Sequence, residues 1–268
     1  MNKINWYNYI DHIFCINYLP NNRYDSFSKK LSEIDIDINN IPSSKLTFIY
    51  DHDLNLLNSR LSNNINMNNL LNDINKLIIN DFDYKYNYTK TTLKLSLNTY
   101  HILNIAKHFN YDRILYIEDD PVFLKDKNYL INALNRINTL DFDIFLGQGC
   151  YCFNENMFNE DNTINGYYKD NILYEDEYFY KINEDVLSSY GSSICIITKS
   201  GINKLLELDE YLNYPIAVES MFGIKNNNNI KFNILTVKKP FAVQDYYLDV
   251  EDYKLKQLNP FININEYK

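Results

Sequence analysis

The sequence predicts an α/β layer fold on a mostly parallel central sheet, and three observations carry that prediction. Apolar runs the length of a buried strand recur along the chain, at 13–16, 46–50, 114–117, 142–146, 194–197 and 232–237. Helical periodicity separates most of them. No Pro/Ser-rich linker and no repeat of fixed period divides the 268 residues, so the whole chain, 1–268, reads as a single domain.

Taken in order, the runs at 13–16 and 46–50 give the first two strands. Leu70, Leu71, Ile74, Leu77 and Ile78 then form one apolar stripe of a helix. A second helix spans 97–109, with Tyr100, Leu103, Ala106 and Phe109 near one face, and leads into the strand at 114–117. Tyr129, Leu130, Ala133, Leu134 and Ile137 mark a third helix before the strand at 142–146. The strand at 194–197 precedes a helix over about 201–208, and the run at 232–237 closes the pattern. One stretch interrupts the alternation: 150–185 is acidic, aromatic and poor in helical pattern, and reads as a lid or acceptor-facing insertion.

Composition narrows the function classes. With 26 Lys and Arg against 35 Asp and Glu, a net charge of −9 and no basic cluster, the chain lacks the footprint that a nucleic-acid backbone or an anionic membrane surface requires. Its apolar runs fall far short of the roughly 20 residues of a membrane span. Residues 1–14 carry charges where a secretory leader keeps an apolar stretch, so the expectation is a soluble, cytoplasmic protein with no membrane span. The 43 Asn and 25 Tyr against 4 Ala and 4 Arg reflect AT-rich codons, and the Asn tracts at 62–69 and 226–229 read as surface loops. Cys15, Cys150, Cys152 and Cys195 have no partners at zinc-site spacing and are expected to be reduced.

The chemistry concentrates where the strand at 114–117 runs into Glu118-Asp119-Asp120-Pro121. Three adjacent carboxylates repel one another, and a hard divalent cation with oxygen ligands relieves that repulsion; a solvated turn is the plain alternative. On an extended backbone Glu118 and Asp120 share a side and serve as metal ligands, while Asp119 points the other way, toward a sugar or a group behind the ligands.

The ordered motifs around this segment resemble glycosyltransferase family 25, the group of bacterial lipopolysaccharide and collagen hydroxylysine galactosyltransferases. Its opening strand and turn resemble Ile16-Asn17-Tyr18 with Arg23, and its apolar strand into E-D-D resembles 117–120. Its D-h-h-h-G strand is similar to Asp143-Ile144-Phe145-Leu146-Gly147, and its small-residue strand and Gly-x-x-x-L-L helix to 193–206. A later apolar-acid step is similar to Val218-Glu219, and the closing strand to 240–244. The family's Ser-His ahead of the E-D-D helix is Asn98-Thr99 here, with Tyr100-His101 beside it.

The resemblance implies a GT-A fold and inverting transfer of a hexose, galactose or glucose, from a UDP-sugar to a glycan or protein hydroxyl with Mn²⁺ or Mg²⁺. Uridine is then expected against Asn17, Tyr18, Arg23 and Asp51, and the diphosphate near Lys238, Lys239 and Arg23. Glu219 is the expected general base and Asp245 the second choice. No histidine follows His108, so Gln244 or Asp245 supplies any late metal ligand. Two rivals stand beside this reading. One is a GT-A-like binding module without activity, motivated by the altered Ser-His position. The other is a haloacid-dehalogenase-type phosphatase using Asp51 and Asp53 at the end of the strand at 46–50.

Overall fold

The computed structural model describes residues 3–17, 24–38, 40–41, 45–50, 90–148, 172–182, 193–207, 230–244 and 263–267. Side-chain alternation along the strands builds the layers. In β1 (His12–Asn17), Ile13 and Cys15 join one apolar cluster while Phe14 and Ile16 join another, and in β3 (Arg113–Ile117) Leu115 and Ile117 divide from Ile114 and Tyr116 in the same way. Both faces of the sheet are thus covered. Helices α1 (Tyr24–Glu33) and α3 (Lys127–Ile137) pack on the first face, through Phe27 and Leu31 and through Leu130, Ala133, Leu134 and Ile137. Helices α2 (Lys90–His108) and α4 (Lys199–Glu207) cover the second, through Ile102, Leu103 and Ala106 and through Ile202 and Leu205.

The sheet has eight described strands in the order β2-β1-β3-β8-β5-β9-β7-β6. Its remaining members are β2 (Leu46–Tyr50), β5 (Ile144–Leu146), β6 (Ile172–Glu175), β7 (Phe179–Ile182), β8 (Ile194–Thr198) and β9 (Ile234–Val237). Counting β1, six of these strands run one way, and β8 and β7 oppose them. The α/β class and the shared direction agree with the expectation. A second sheet pairs β4 (Pro121–Phe123) with β10 (Ala242–Gln244), both too short to announce themselves in the sequence.

Several expectations change at the level of elements. Helix α2 begins at Lys90 rather than 97, and α1 was not anticipated because its apolar positions, Tyr24, Phe27 and Leu31, are so widely spaced. Within the expected insertion at 150–185, residues 172–182 form β6 and β7, which extend the main sheet beyond β9. The rest of that insertion, and the helix expected around 70–78, lie outside the described residues. Among the described residues no helix is long and apolar enough to cross a membrane.

Local chemistry sets the helix ends. Asp126 caps α3, accepting a hydrogen bond from the Tyr129 backbone N–H at 3.1 Å. Asn110, at φ 56°, ends α2 in the left-handed conformation, and the Tyr111 N–H reaches back to the Ala106 carbonyl, which turns the chain toward β3. Thr198 accepts from the Gly201 N–H at 3.2 Å and starts α4. The Asp143 carboxylate, buried ahead of β5, receives Lys204 of α4 at 2.5 Å and the Asn233 N–H at 2.7 Å, tying α4 and the approach to β9 to one point.

Gly201 is the closest approach of helix to sheet. A Cβ there would stand 2.3 Å from the Asp143 carbonyl oxygen and 2.9 Å from its carbon, and a backbone neighbour cannot swing aside. In an open helix Gly→Ala stabilises by about 1 kcal/mol. Here Gly201→Ala is expected to lower stability by about 1–3 kcal/mol in urea unfolding, because overpacking outweighs propensity. Unchanged or raised stability would show that α4 can move away from Asp143.

Candidate active site

The strand order places the acidic segment. Leaving β1, the chain goes to β2 on one side and later returns to β3 on the other, so the order 2-1-3 has its switch point between β1 and β3. Ligands of open α/β sheets collect in the crevice at the carboxyl ends of such strands. Asn17 ends β1 there, two residues beyond Cys15, which pairs with Ile117. Glu118, Asp119 and Asp120 leave β3 at the same edge.

Burial separates these carboxylates from an ordinary solvated turn. Glu118 is 7 % exposed and Asp119 4 %, and one Asp120 carboxylate oxygen is shut off from solvent. The Tyr116 hydroxyl donates to Glu118 Oε1 at 3.0 Å, which shows that alternation continues to Glu118 and turns its side chain toward the α2–α4 face. It stops there. The chain bends at Asp119–Asp120 and re-enters a strand at Pro121, so the extended register expected to set Glu118 and Asp120 on one side does not persist. Among the described residues no three His, Cys, Asp or Glu side chains group to hold a metal ion.

The late motif arrives at the same place. Gln244 pairs across from Pro121, Val243 from Val122 and Ala242 from Phe123. The Phe241 N–H donates to the Gly147 carbonyl at 2.7 Å, which seats β10 against the end of β5 as well. Gly147 itself leaves little room, since a Cβ would lie 3.1 Å from Ile194 Cγ2.

The α2–α4 face also carries other buried polar residues, of which Gln148 and Thr236 have no place in the motif series. Along this face the strands read apolar until their carboxyl-edge positions: Tyr116 then Glu118 on β3, Leu146 then Gln148 after β5, Ser193 ahead of Cys195 on β8, and Ile234 then Thr236 on β9. On α2, Asn98 and Thr99 stand one turn before Ile102 and Leu103 and are buried like them. The result is a buried polar shelf across four adjacent strands. The Glu118 N–H donates to the Ser193 carbonyl at 2.9 Å, and the Ser193 hydroxyl donates to Gln148 Oε1. Among the described residues the amide nitrogens of Asn98 and Gln148 have no hydrogen-bond acceptor. The signal that could have found the shelf is a polar residue two places from the last inward-facing apolar residue of a strand.

No protein-family model and no curated protein matches the chain. Of the expected binding residues, Asn17, Glu118, Asp119, Asp120 and Gln244 are brought to one edge by the backbone. Lys238 lies at the end of β9, where its ammonium pairs with Glu175 at 2.6 Å and sits 4.6 Å from the centre of the Tyr180 ring. Lys239 is paired with Glu266 and lies over Tyr129. Tyr18, Arg23, Asp51, Asp53, Glu219 and Asp245 lie outside the described residues, as do Cys150 and Cys152. Cys15 and Cys195 are both buried, and burial pushes the Cys15 thiol far above its ordinary range.

The turn between β6 and β7, next to Lys238, is held by one carboxylate. Asp176 Oδ1 accepts from the Tyr178 and Phe179 N–H groups at 2.8 and 2.9 Å, while Oδ2 accepts from Arg136 Nε at 2.7 Å and from the Tyr174 hydroxyl. Burial alone would raise its pKa, but the hydrogen bonds from Tyr174, Arg136 and the two backbone groups together outweigh it and hold the carboxyl below its ordinary value. A depressed folded-state pKa stabilises the fold above the unfolded value and loses that contribution as pH falls through the folded one. Asp176→Asn is expected to cost about 1–3 kcal/mol near neutral pH. The difference from wild type in urea unfolding should shrink below about pH 4. A pH-independent difference would mean that the ionised form is not what holds the turn.

Proposed function

We propose that the chain is an inverting glycosyltransferase of the GT-A type, moving galactose or glucose from a UDP-sugar to a glycan or protein hydroxyl with the help of a divalent cation. The observation that carries this reading is the buried acidic segment at the carboxyl end of β3, at the switch point beside β1 and flanked by the strand ending in Gln244. An acidic protein that binds a diphosphate at such a place needs positive charge from outside its own chain. The donor set, carboxylate oxygens alone, suits Mn²⁺ or Mg²⁺.

In this reading Asp120 and Glu118 would hold the ion, which would supply positive charge against the charge that develops on a departing diphosphate. Among the described residues no three candidate ligands group together, so the ion would be carried largely by the nucleotide, as is usual for such a cation. Asp119, within the bend, orients the sugar. Asn17, at the end of β1, and Asp51, the residue after β2 in the sequence, receive the uridine, with Tyr18 as a stacking face and Arg23 as a contact for the diphosphate. Glu219, or failing it Asp245, takes the proton of the acceptor hydroxyl.

Asp120→Asn keeps the size of the side chain and removes one anionic ligand. Calorimetry with UDP is expected to show tight binding only with manganese in the wild type and no manganese dependence in the variant; full metal-dependent binding by Asp120→Asn would move the ion elsewhere. Glu219→Gln separates catalysis from binding. Turnover of the UDP-sugar should fall by about 10²–10⁴ with UDP affinity near wild type. Wild-type turnover in that variant would pass the role to Asp245, and a wild-type chain that binds a UDP-sugar but never releases the sugar would be a binding module.

A further inference from the structure

Gln148 is a buried side chain with one end anchored and the other unused. Its amide oxygen accepts from the Ser193 hydroxyl and from the Ser193 backbone N–H at 3.3 Å. A backbone N–H can only donate, so the anchored end is the oxygen and the free end is the NH₂ group. That group is sealed from solvent and has no acceptor among the described residues. Leaving such a donor unmade costs about 1–3 kcal/mol, a penalty that a ligand supplying an acceptor would remove.

We propose that the Gln148 amide, held by Ser193, binds a hydroxyl of the transferred sugar at the carboxyl edge of the sheet. The inference rests on reading the site as one for a nucleotide sugar, and two observations direct it to the sugar. The first is position. Gln148 follows β5, two strand spacings or about 10 Å from β3, on the side away from β1. With uridine over β2 and β1 and the diphosphate at the end of β3, the sugar extends over β8 and β5. The second is charge. Ser193, which holds Gln148, and Thr236, Asn98 and Thr99 are neutral, Glu118 is anionic, and Lys238, the next residue on that face of β9, is paired with Glu175. A neutral NH₂ donor near a carboxylate matches a polyhydroxylated ring, whose hydroxyls both accept and donate, better than a phosphate.

The test compares Kd values for UDP, UDP-galactose and UDP-glucose by calorimetry with manganese present, using the full-length chain. Gln148→Leu with Ser193→Ala replaces both hydrogen-bonding partners by apolar groups, so little stability should be lost. Gln148→Met, neutral and of similar length, is the second variant should the first fail to fold. In both, the affinity for at least one UDP-hexose relative to that for UDP should drop by about 10–100-fold, with the Kd of UDP within about twofold of wild type. An equal loss for UDP and the sugar nucleotides would place Gln148 in the fold or at the diphosphate and overturn the proposal, as would no loss at all. If the wild type binds neither UDP nor a UDP-hexose, the nucleotide-sugar reading itself fails and takes this inference with it.

Discussion

The antiparallel pairing of β3 with β8 is the seam on which the molecule depends. From Arg113 opposite Thr198 to Ile117 opposite Ile194, it joins the parallel group β2-β1-β3 to the group β5-β9-β7-β6, and the Glu118 N–H to Ser193 carbonyl bond extends it past the end of the strand. Because β8 runs against its neighbours, its first residues meet the last residues of β3 and β5. A polar start to β8 therefore lands beside the acidic end of β3, which is how Ser193 comes to touch both Glu118 and Gln148.

A sheet covered on both faces can keep polar side chains only where its strands run out. That constraint divides the molecule into a structural end and a ligand-facing end. At the amino end, the Asp143 carboxylate takes up Lys204 and the Asn233 N–H and fixes α4. At the carboxyl end, the amide nitrogens of Gln148 and Asn98 are buried with no acceptor among the described residues. Two glycines of the motif series, Gly147 and Gly201, belong to packing: each sits where a Cβ would press on a neighbouring strand or its carbonyl.

Six strand positions and three described helices were legible in the sequence because each is an apolar run or stripe long enough to have a period. β6 escaped because its exposed Leu173 breaks the alternation of an edge strand, and β4 and β10 because three residues have no period. The acidic segment of the site was legible as well, since three successive carboxylates after an apolar strand are hard to mistake. Its bend at Asp119 was not, because whether the backbone stays extended past Ile117 depends on β10, which lies more than a hundred residues further along. The pairing of Gln148 with Ser193 was not legible for a related reason. Each is one unremarkable letter, and only the antiparallel seam brings them together.

The topology also dictates an order of assembly. β1 and β2 can pair as soon as residue 50 has been made, but Cys15 waits for Ile117 to complete its other edge, and β3 in turn waits for β8. During synthesis the acidic end of β3 therefore stands on a half-paired strand until residue 198 emerges. Such late, long-range pairing slows folding and leaves apolar edges open to other chains. The carboxylates at the tip of β3, charged and without strand-forming tendency, also act at that stage as a guard against lengthwise association with another nascent strand.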